Sequence, residues 1–246
     1  RLYYVVIGGW LTEFLKKRKN LTKALMSFDG IYVETNTMRK ALEIQEFNNV
    51  YVMPNFKDLN ILKESELVYP NTEPYSLCTF SRVMKEKGIE ELFYAVRRLK
   101  EENEDFVLDL AGFFEDIYKK QVEELEQLGI AHFYGFQSDP RPFYAEADCV
   151  VLPSYHEGMS NVLLEAAATG CPVITSNIPG CRESVENGKS GLLVEVRNKE
   201  MLYQAMKKML HCSREEREKM GKAGREKMKR EFRKEAVVER TVRSLE

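Results

Sequence analysis

The sequence predicts an α/β protein with two doubly wound parallel sheets, the first of them incomplete. Short apolar runs of β type alternate with amphipathic helical stretches, the pattern of a parallel sheet covered by helices. A polar, Pro-containing stretch at 57–74 divides these runs into two series and predicts a linker. The chain opens at Arg1 with the apolar run LYYVVIG and no initiator Met, from which we expect it to begin inside a domain.

The first unit is predicted to cover residues 1–56. Each of its strands is a short run of apolar and β-branched residues, and a helical stretch with polar positions separates it from the next strand. The strands are LYYVVIG, Gly30 to Glu34 and Val50 to Met53, and the helices are Trp10 to Phe28 and Asn36 to Phe47.

The second unit is predicted to cover residues 75–228. Its strands are YSLCTFS, FVLDLAG, AHFYG, DCVVLPS, PVITS and GLLVE, and its helices are Ile89 to Glu102, Phe114 to Leu128, Arg141 to Ala147 and Asn161 to Thr169. The last of these helices ends before Gly170, a residue that favours a left-handed helix stop. The charged tail Lys199 to Glu246 is predicted to be helical, with residues 229–246 packing back on the first unit. Both units are therefore Rossmann-like.

The composition excludes several classes of protein. With 43% apolar and 31% charged residues, the chain resembles an ordinary globular protein. Its net charge of −2 argues against general nucleic-acid binding, and no apolar run reaches the roughly 20 residues needed to cross a bilayer. The five cysteines are scattered without a CxxC pair, which favours reduced thiols in a cytoplasmic protein.

The most informative stretch runs from Ser154 to Val194. Glu157 lies in the loop after a buried strand, Glu165 lies on the following helix, and the amides of Gly158, Met159 and Ser160 lie near that helix's start. A helix N-terminus suits phosphate, and a carboxylate suits hydroxyl groups because it only accepts hydrogen bonds. A phosphate flanked by hydroxyl groups describes a nucleotide-sugar.

Three further features follow predicted strands, at the edge where open α/β sheets bind ligands. Arg82 and Lys87 lie in the segment SRVMKEKG, where they suit a diphosphate, although each is also an ordinary solvated cation. Gly112 permits a close backbone approach. Phe136, in HFYGF, has a position from which it could face a nucleotide base, and a packing role fits it equally well.

Taken together, five segments resemble the retaining GT-B glycosyltransferases of family 4, in particular bacterial polysaccharide-type enzymes. These segments are SRVMKEKG, LAG, FYGF, HEGMSNVLLEAAATGCPVI and PGCRESVENGKSGLLV. The resemblance implies that the second domain binds a nucleotide-sugar donor and the first a saccharide or lipid-linked saccharide acceptor. UDP is the expected nucleotide, with GDP and ADP left open. The resemblance implies no cofactor and no divalent metal, and the chain has no DxD triplet.

Carried over by position, the resemblance assigns roles to single residues. Arg82 and Lys87 would hold the diphosphate, Glu157 the sugar hydroxyls and Glu165 the ribose. The amides of Gly158, Met159 and Ser160 would contact sugar and phosphate, with His156 and Asn161 beside them. For His156 a structural role is an equal alternative. Gly8 and Gly9 would line the acceptor side, although glycines of a tight turn explain them as well.

The expected reaction transfers a sugar with retention of configuration, and we expect Glu157 to position the sugar, with a nucleophilic role as the alternative. The resemblance also implies about a hundred preceding residues, so this piece alone is expected to lack transferase activity while binding donor. Two other readings stay open: a non-catalytic donor-binding subunit that needs a partner chain, and a sugar-nucleotide epimerase. The basic runs at 16–19 and 227–234 leave peripheral contact with the cytoplasmic membrane face as a further alternative.

Overall fold

The computed structural model describes residues 1–8, 10–59, 69 and 73–245. The expectations for Gly9 and for most of the linker at 57–74 therefore lie outside the described residues. Two parallel sheets form. The three-stranded sheet has the order β1-β2-β3 and the six-stranded sheet the order β6-β5-β4-β7-β8-β9, as the alternating pattern predicted. The strands are β1 (Tyr3–Val6), β2 (Gly30–Val33), β3 (Val50–Val52), β4 (Tyr75–Phe80), β5 (Phe106–Ala111), β6 (Ala131–Phe133), β7 (Cys149–Leu152), β8 (Val173–Ser176) and β9 (Gly191–Val194).

In the first sheet, Tyr3 lies opposite Gly30 and Ile31 opposite Val50. Three helices cover this sheet: α1 (Leu11–Leu15), α2 (Lys19–Met26) and α3 (Asn36–Glu43). The helical stretch predicted from Trp10 to Phe28, broken by polar residues, forms two helices, and the chain turns between α1 and α2. The break falls in the run Lys16–Lys19, where neighbouring like charges oppose a continuous helix.

The order of the second sheet brings two loops together. The chain proceeds from β4 to β5 and β6 in one direction and then returns to β7, which pairs with the other side of β4. The loops after β4 and β7 therefore leave from neighbouring strands at the same edge of the sheet. This is the switch point at which open α/β sheets bind ligands, and β7 and β8 beside it are fully buried.

Helices cover both faces of the second sheet. They are α4 (Ile89–Glu101), α5 (Lys119–Gln127), α6 (Arg141–Glu146), α7 (Asn161–Ala168) and α8 (Lys199–Leu210). The helix predicted from Phe114 starts later, with a 3-10 turn at Asp116–Tyr118 followed by α5. The reason is local: Phe114 forms a parallel bridge with Val83, which keeps the chain extended there. The core between α4, α8 and the sheet contains Leu92, Leu77 and Met206.

The charged tail is helical, as predicted, and consists of α8, α9 (Arg214–Glu231) and α10 (Lys234–Arg243). The domain boundary expected at 228 falls inside α9, and the chain bends at Phe232 and Arg233. Beyond this bend α10 lies near the first sheet, where the Tyr32 and Ser244 hydroxyl groups are 3.0 Å apart. Over the described residues, no helix combines the length and the apolar character that crossing a bilayer requires.

Candidate active site

A cleft of about 420 Å³ opens at the switch point, between the two units. Its second-unit wall comes from the loops after β4 and β7 and from the start of α7, and its first-unit wall from the ends of β1 and β2. The lining residues include most of the predicted site: Gly8, Arg82, Lys87, Glu157, Gly158, Met159, Ser160 and Asn161. The structure therefore brings these predicted residues together in one crevice.

The cleft contains an ion pair between Lys87 and Glu157. Lys87 Nζ lies 2.6 Å from Glu157 Oε1, and Ser154 Oγ donates to the same oxygen at 2.8 Å. Both charged side chains are largely buried, with 21% and 14% exposed, so solvent screens the pair less than it would a surface pair. Gly88 fixes the loop that carries Lys87, because a Cβ there would lie 2.0 Å from the carbonyl oxygen of Pro153.

Arg82 differs from Lys87 because it has no anionic partner among the residues that the structure describes. Its side chain is exposed at the rim of the cleft, and it forms no ion pair with the part of the chain that the structure describes. A guanidinium group in this position has its planar set of donors available to an anionic ligand. The cleft thus holds one cation that is neutralised by Glu157 and a second that is not.

The first unit holds Met159 by both of its backbone polar groups. Glu34, directly after β2, is 5% exposed, and its Oε2 accepts hydrogen bonds from Met159 N at 3.1 Å and from Gly8 N at 2.8 Å. Asn55 Nδ2 donates to the Met159 carbonyl oxygen at 2.8 Å. We call this set of contacts the Met159 clasp; it consists of Glu34, Gly8, Asn55 and Met159.

The clasp limits the amides that a ligand can use. The N–H of Met159 donates to Glu34, and that of Ser160 donates to the Gly180 carbonyl oxygen at 3.0 Å. Among the described residues, only Gly158 of the three predicted amides has no acceptor. Ser160 instead caps α7, where its Oγ accepts from Leu163 N at 3.5 Å. The expectation of three available donors therefore reduces to one in this conformation.

Glu165 lies on α7 beyond the cleft and faces a neighbouring cavity of about 560 Å³. Its Oε1 accepts a hydrogen bond from Lys57 Nζ at 2.7 Å. Burial, with a contribution from the Glu165 carboxylate, raises the pKa of the Tyr144 hydroxyl. The structure thus separates the two predicted carboxylates into adjoining pockets on one edge of the sheet.

Besides Glu165, three predicted residues lie outside the cleft lining. Gly112 has a φ of +143°, and a Cβ there would lie 2.0 Å from the Ser81 carbonyl oxygen. The close approach that this glycine permits is therefore between β5 and the backbone of the loop after β4. The Phe136 ring stacks on that of Phe113 with 5.0 Å between centroids, and both rings are exposed. His156 is exposed.

The second unit matches a known protein family. The family "Glycosyl transferases group 1" matches residues 63–227, which is more than half of the chain. The chain belongs to this glycosyltransferase family.

Two curated relatives of this glycosyltransferase come from bacteria. The lipopolysaccharide core biosynthesis glycosyltransferase LpsE of Rhizobium meliloti is 31% identical over 163 residues, which are 65% of this chain and 46% of LpsE. The capsular polysaccharide biosynthesis glycosyltransferase CapM of Staphylococcus aureus is 28% identical over 163 residues, 64% of this chain and 42% of CapM. The chain spans less than half the length of these relatives.

Solved structures support the fold of the glycosyltransferase. Sucrose-phosphate synthase from Thermosynechococcus elongatus superimposes with a TM-score of 0.79 at 22% identity, covering 98% of this chain and 66% of the synthase. Anabaena HepE in complex with UDP gives 0.80 at 18% identity, covering 99% and 71%. At these identities the comparison establishes the fold, which is the GT-B arrangement of Rossmann-like domains.

Sequence reasoning missed Glu34, Asn55 and Lys57 in the glycosyltransferase. All three belong to the first unit or the segment after it, whereas most of the predicted ligand groups lie after strands of the second unit. Glu34 carried a usable signal, because it directly follows the buried strand GIYV. The contacts of Asn55 and Lys57 depend on how the two units meet, which local sequence patterns do not encode.

Proposed function

We propose that the protein transfers a sugar from a nucleoside diphosphate sugar to a saccharide acceptor, with retention of configuration. The observation that carries this proposal is the cleft that joins Arg82, the Lys87–Glu157 pair and the start of α7 at the switch point of the second sheet. In this proposal residues 75–228 bind the donor, residues 1–56 face the acceptor, 57–74 link the units and 229–246 return to the first unit.

Loss of the nucleoside diphosphate is the step that most needs the protein's charges, because negative charge builds on the departing oxygen. Arg82 and Lys87 supply the opposing charge, and the Gly158 amide near the α7 terminus adds a dipole. With these groups present, we propose a reaction that needs no metal or cofactor. When the diphosphate binds Lys87, Glu157 is released from that ion pair and can accept hydrogen bonds from the sugar hydroxyls.

We propose that Glu157 positions the sugar and that the acceptor attacks from the side the diphosphate leaves, which retains configuration without a protein nucleophile. In this route the acceptor hydroxyl loses its proton to the departing phosphate oxygen. Trapping a glycosyl adduct on Glu157 would replace this route with double displacement. None of the three histidines is among the described residues that line the cleft. This does not favour the epimerase alternative, which would need acid–base residues there.

The names of similar proteins support a choice of substrates. HepE was solved with UDP, so we propose a UDP-sugar as donor. A Campylobacter jejuni relative, 29% identical over 162 residues, is named as an N-acetylgalactosaminyltransferase acting on a diphospho-undecaprenol-linked sugar. We therefore include lipid-linked saccharides among the proposed acceptors and polysaccharide synthesis as the process.

A lysine pair in one 3-10 turn allows a controlled test. We predict that Lys87→Met weakens nucleotide binding by this chain and lowers sugar transfer by the complete protein at least about 100-fold, because it removes a partly buried charge from the diphosphate site. Lys85→Met should stay near wild type, since Lys85 lies in the same turn but pairs on the surface with Glu90. Thermal shift with UDP, GDP and ADP and a sugar-transfer assay measure the two effects. Equal losses in both variants would contradict the proposed role of Lys87.

We also propose that the basic turn at 16–19 can contact anionic lipid. Arg18 lies 4.1 Å above the exposed Phe14 ring, so cationic and aromatic groups occur together there, as at membrane interfaces. The second basic run is less suited, because Lys227, Lys229 and Arg230 pair with glutamates. Co-sedimentation with anionic vesicles that is indifferent to salt and to Lys16 and Lys17 substitution would contradict this contact.

A further inference from the structure

Lys57 lies where the chain crosses from the first unit to the second. Its N–H donates to the Phe232 carbonyl oxygen at 2.9 Å, and its own carbonyl accepts from Lys234 N at 3.1 Å. Phe232 and Lys234 flank the bend between α9 and α10, where the chain returns to the first unit. Lys57 therefore joins both crossings by backbone hydrogen bonds, which fix its position relative to the bend between α9 and α10.

The side chain of Lys57 reaches from this junction to Glu165. Nζ donates to Glu165 Oε1 at 2.7 Å, and the two side chains are 20% and 29% exposed. The pair faces the cavity of about 560 Å³, which is also lined by Ser138, Asp139 and Arg141, in and after the loop that follows β6. A carboxylate has about four lone-pair directions, so the bond from Lys57 and the neighbouring Tyr144 hydroxyl still leave Glu165 with acceptor capacity for a ligand in the cavity.

We infer that Lys57 is a positioning residue for nucleoside recognition: it holds the Glu165 carboxylate from the junction so that this carboxylate accepts the vicinal hydroxyls of the donor's ribose. This inference rests on the proposed function, in which Glu165 contacts the ribose. A glutamate side chain that loses such a bond gains rotamer freedom, which the ligand must then remove on binding. Lys57 should therefore affect selection of the ribose hydroxyls more than binding of the phosphates.

The test measures this selectivity directly. In the intact protein, calorimetry gives dissociation constants for UDP, GDP and ADP and for their 2′,3′-dideoxy analogues. We expect wild type to prefer the ribose form of its nucleotide by at least about tenfold, the effect of a hydrogen bond to a charged group. Lys57→Met should reduce that preference to below about threefold, whereas Lys57→Arg, which keeps a cationic donor, should restore most of it.

Lys234→Met is the matched control. Lys234 lines the same cavity but pairs with Asp58, at 3.6 Å, and not with Glu165, so its removal should leave the ribose preference unchanged. Lys57→Gln provides a second variant if Lys57→Met does not fold, and it should also lose selectivity, because a neutral amide is a weaker partner for the carboxylate.

The possible failures are distinguishable. If Lys57→Met weakens ribose and dideoxy forms equally, Lys57 acts on the phosphates and the inference is wrong while the proposed function stands. If wild type shows no ribose preference but binds nucleotide, Glu165 does not contact the ribose and the inference is again wrong. If no nucleoside diphosphate binds, the proposed function itself fails.

Discussion

At the scale of single residues, Gly180 sets the shape of the loop that carries Glu157. Its φ is +88°, in the region that glycine adopts at little cost. A Cβ at this position would lie only 1.7 Å from the Gly158 carbonyl oxygen, and the Gly180 carbonyl accepts the hydrogen bond from Ser160 N. The loop after β8 therefore supports the loop after β7 through direct backbone contact.

We predict that Gly180→Ala destabilises the protein by about 2–4 kcal/mol, combining a strained φ with overpacking. Displacement of Gly158 should also weaken nucleotide binding. Gly188→Ala is the control, because Gly188 has a similar φ of +76° but no atom within 4 Å of its Cβ position; it should cost only about 1 kcal/mol. Urea denaturation of both variants measures the difference, and equal costs would show that the contact with Gly158 is not tight.

At the scale of elements, α9 supports the helix that carries Glu165. Gly221 brings α9 against the end of α7, since a Cβ there would lie 1.8 Å from the Gly170 carbonyl oxygen. The buried Arg225 donates to the Ala168 carbonyl, which is among the terminal acceptors of α7 that lack helical partners. The position of α7 therefore depends on α9 being formed.

A capping box begins α9 and offers a way to weaken it. Ser213 Oγ accepts from Glu216 N at 3.2 Å, and Glu216 Oε2 accepts from Ser213 N at 2.8 Å. We predict that Ser213→Ala costs about 1 kcal/mol and lowers Tm by roughly 2–4 °C. Lys219→Ala, an exposed change inside the same helix, should stay within about 0.5 kcal/mol. Differential scanning calorimetry tests both, and unchanged Tm for Ser213→Ala would show that the helix start contributes little.

The elements that the sequence predicted well are those with a strong local signal. Every predicted strand forms, because short apolar runs between polar helices leave few alternatives. The failures have local causes that hydrophobic periodicity does not register. Pairing of Phe114 with Val83, for example, delays the start of α5.

At the scale of the whole molecule, the two units meet at the Met159 clasp. Glu34 and Asn55 come from the first unit, and each binds one backbone group of Met159 in the loop after β7. Loss of either partner leaves a polar group of buried Met159 unsatisfied, which costs about 1–3 kcal/mol. The clasp thus couples the stability of the cleft to the contact between the units.

We predict that Glu34→Ala and Asn55→Ala are non-additive, with a coupling free energy of about 0.5–3 kcal/mol, because both act on Met159. Asn49→Ala is the control. Asn49 Nδ2 donates to the Phe28 carbonyl within the first unit, so its effect should add to that of Glu34→Ala. Chemical denaturation of the single and double variants gives the coupling, and simple additivity for Glu34 and Asn55 would mean that they act independently.

The candidate site was predictable as far as one unit determines it. Arg82, Lys87 and Glu157 follow neighbouring strands of the second sheet, and the rule for strand ends placed them in one cleft. Glu34 and Lys57 reach that edge from elsewhere in the chain, and their partners are more than a hundred residues away in the sequence. Only the tertiary arrangement of the units reveals such contacts.

The clasp has a consequence for exchanging parts between relatives. A chimera that joins the first unit of a relative to residues 75–228 would also replace the groups that hold Met159 in place. Chimeras that keep a carboxylate and an amide at the positions of Glu34 and Asn55 should hold the loop after β7 in place. Chimeras without these two groups should bind nucleotide poorly, even when residues 75–228 are unchanged.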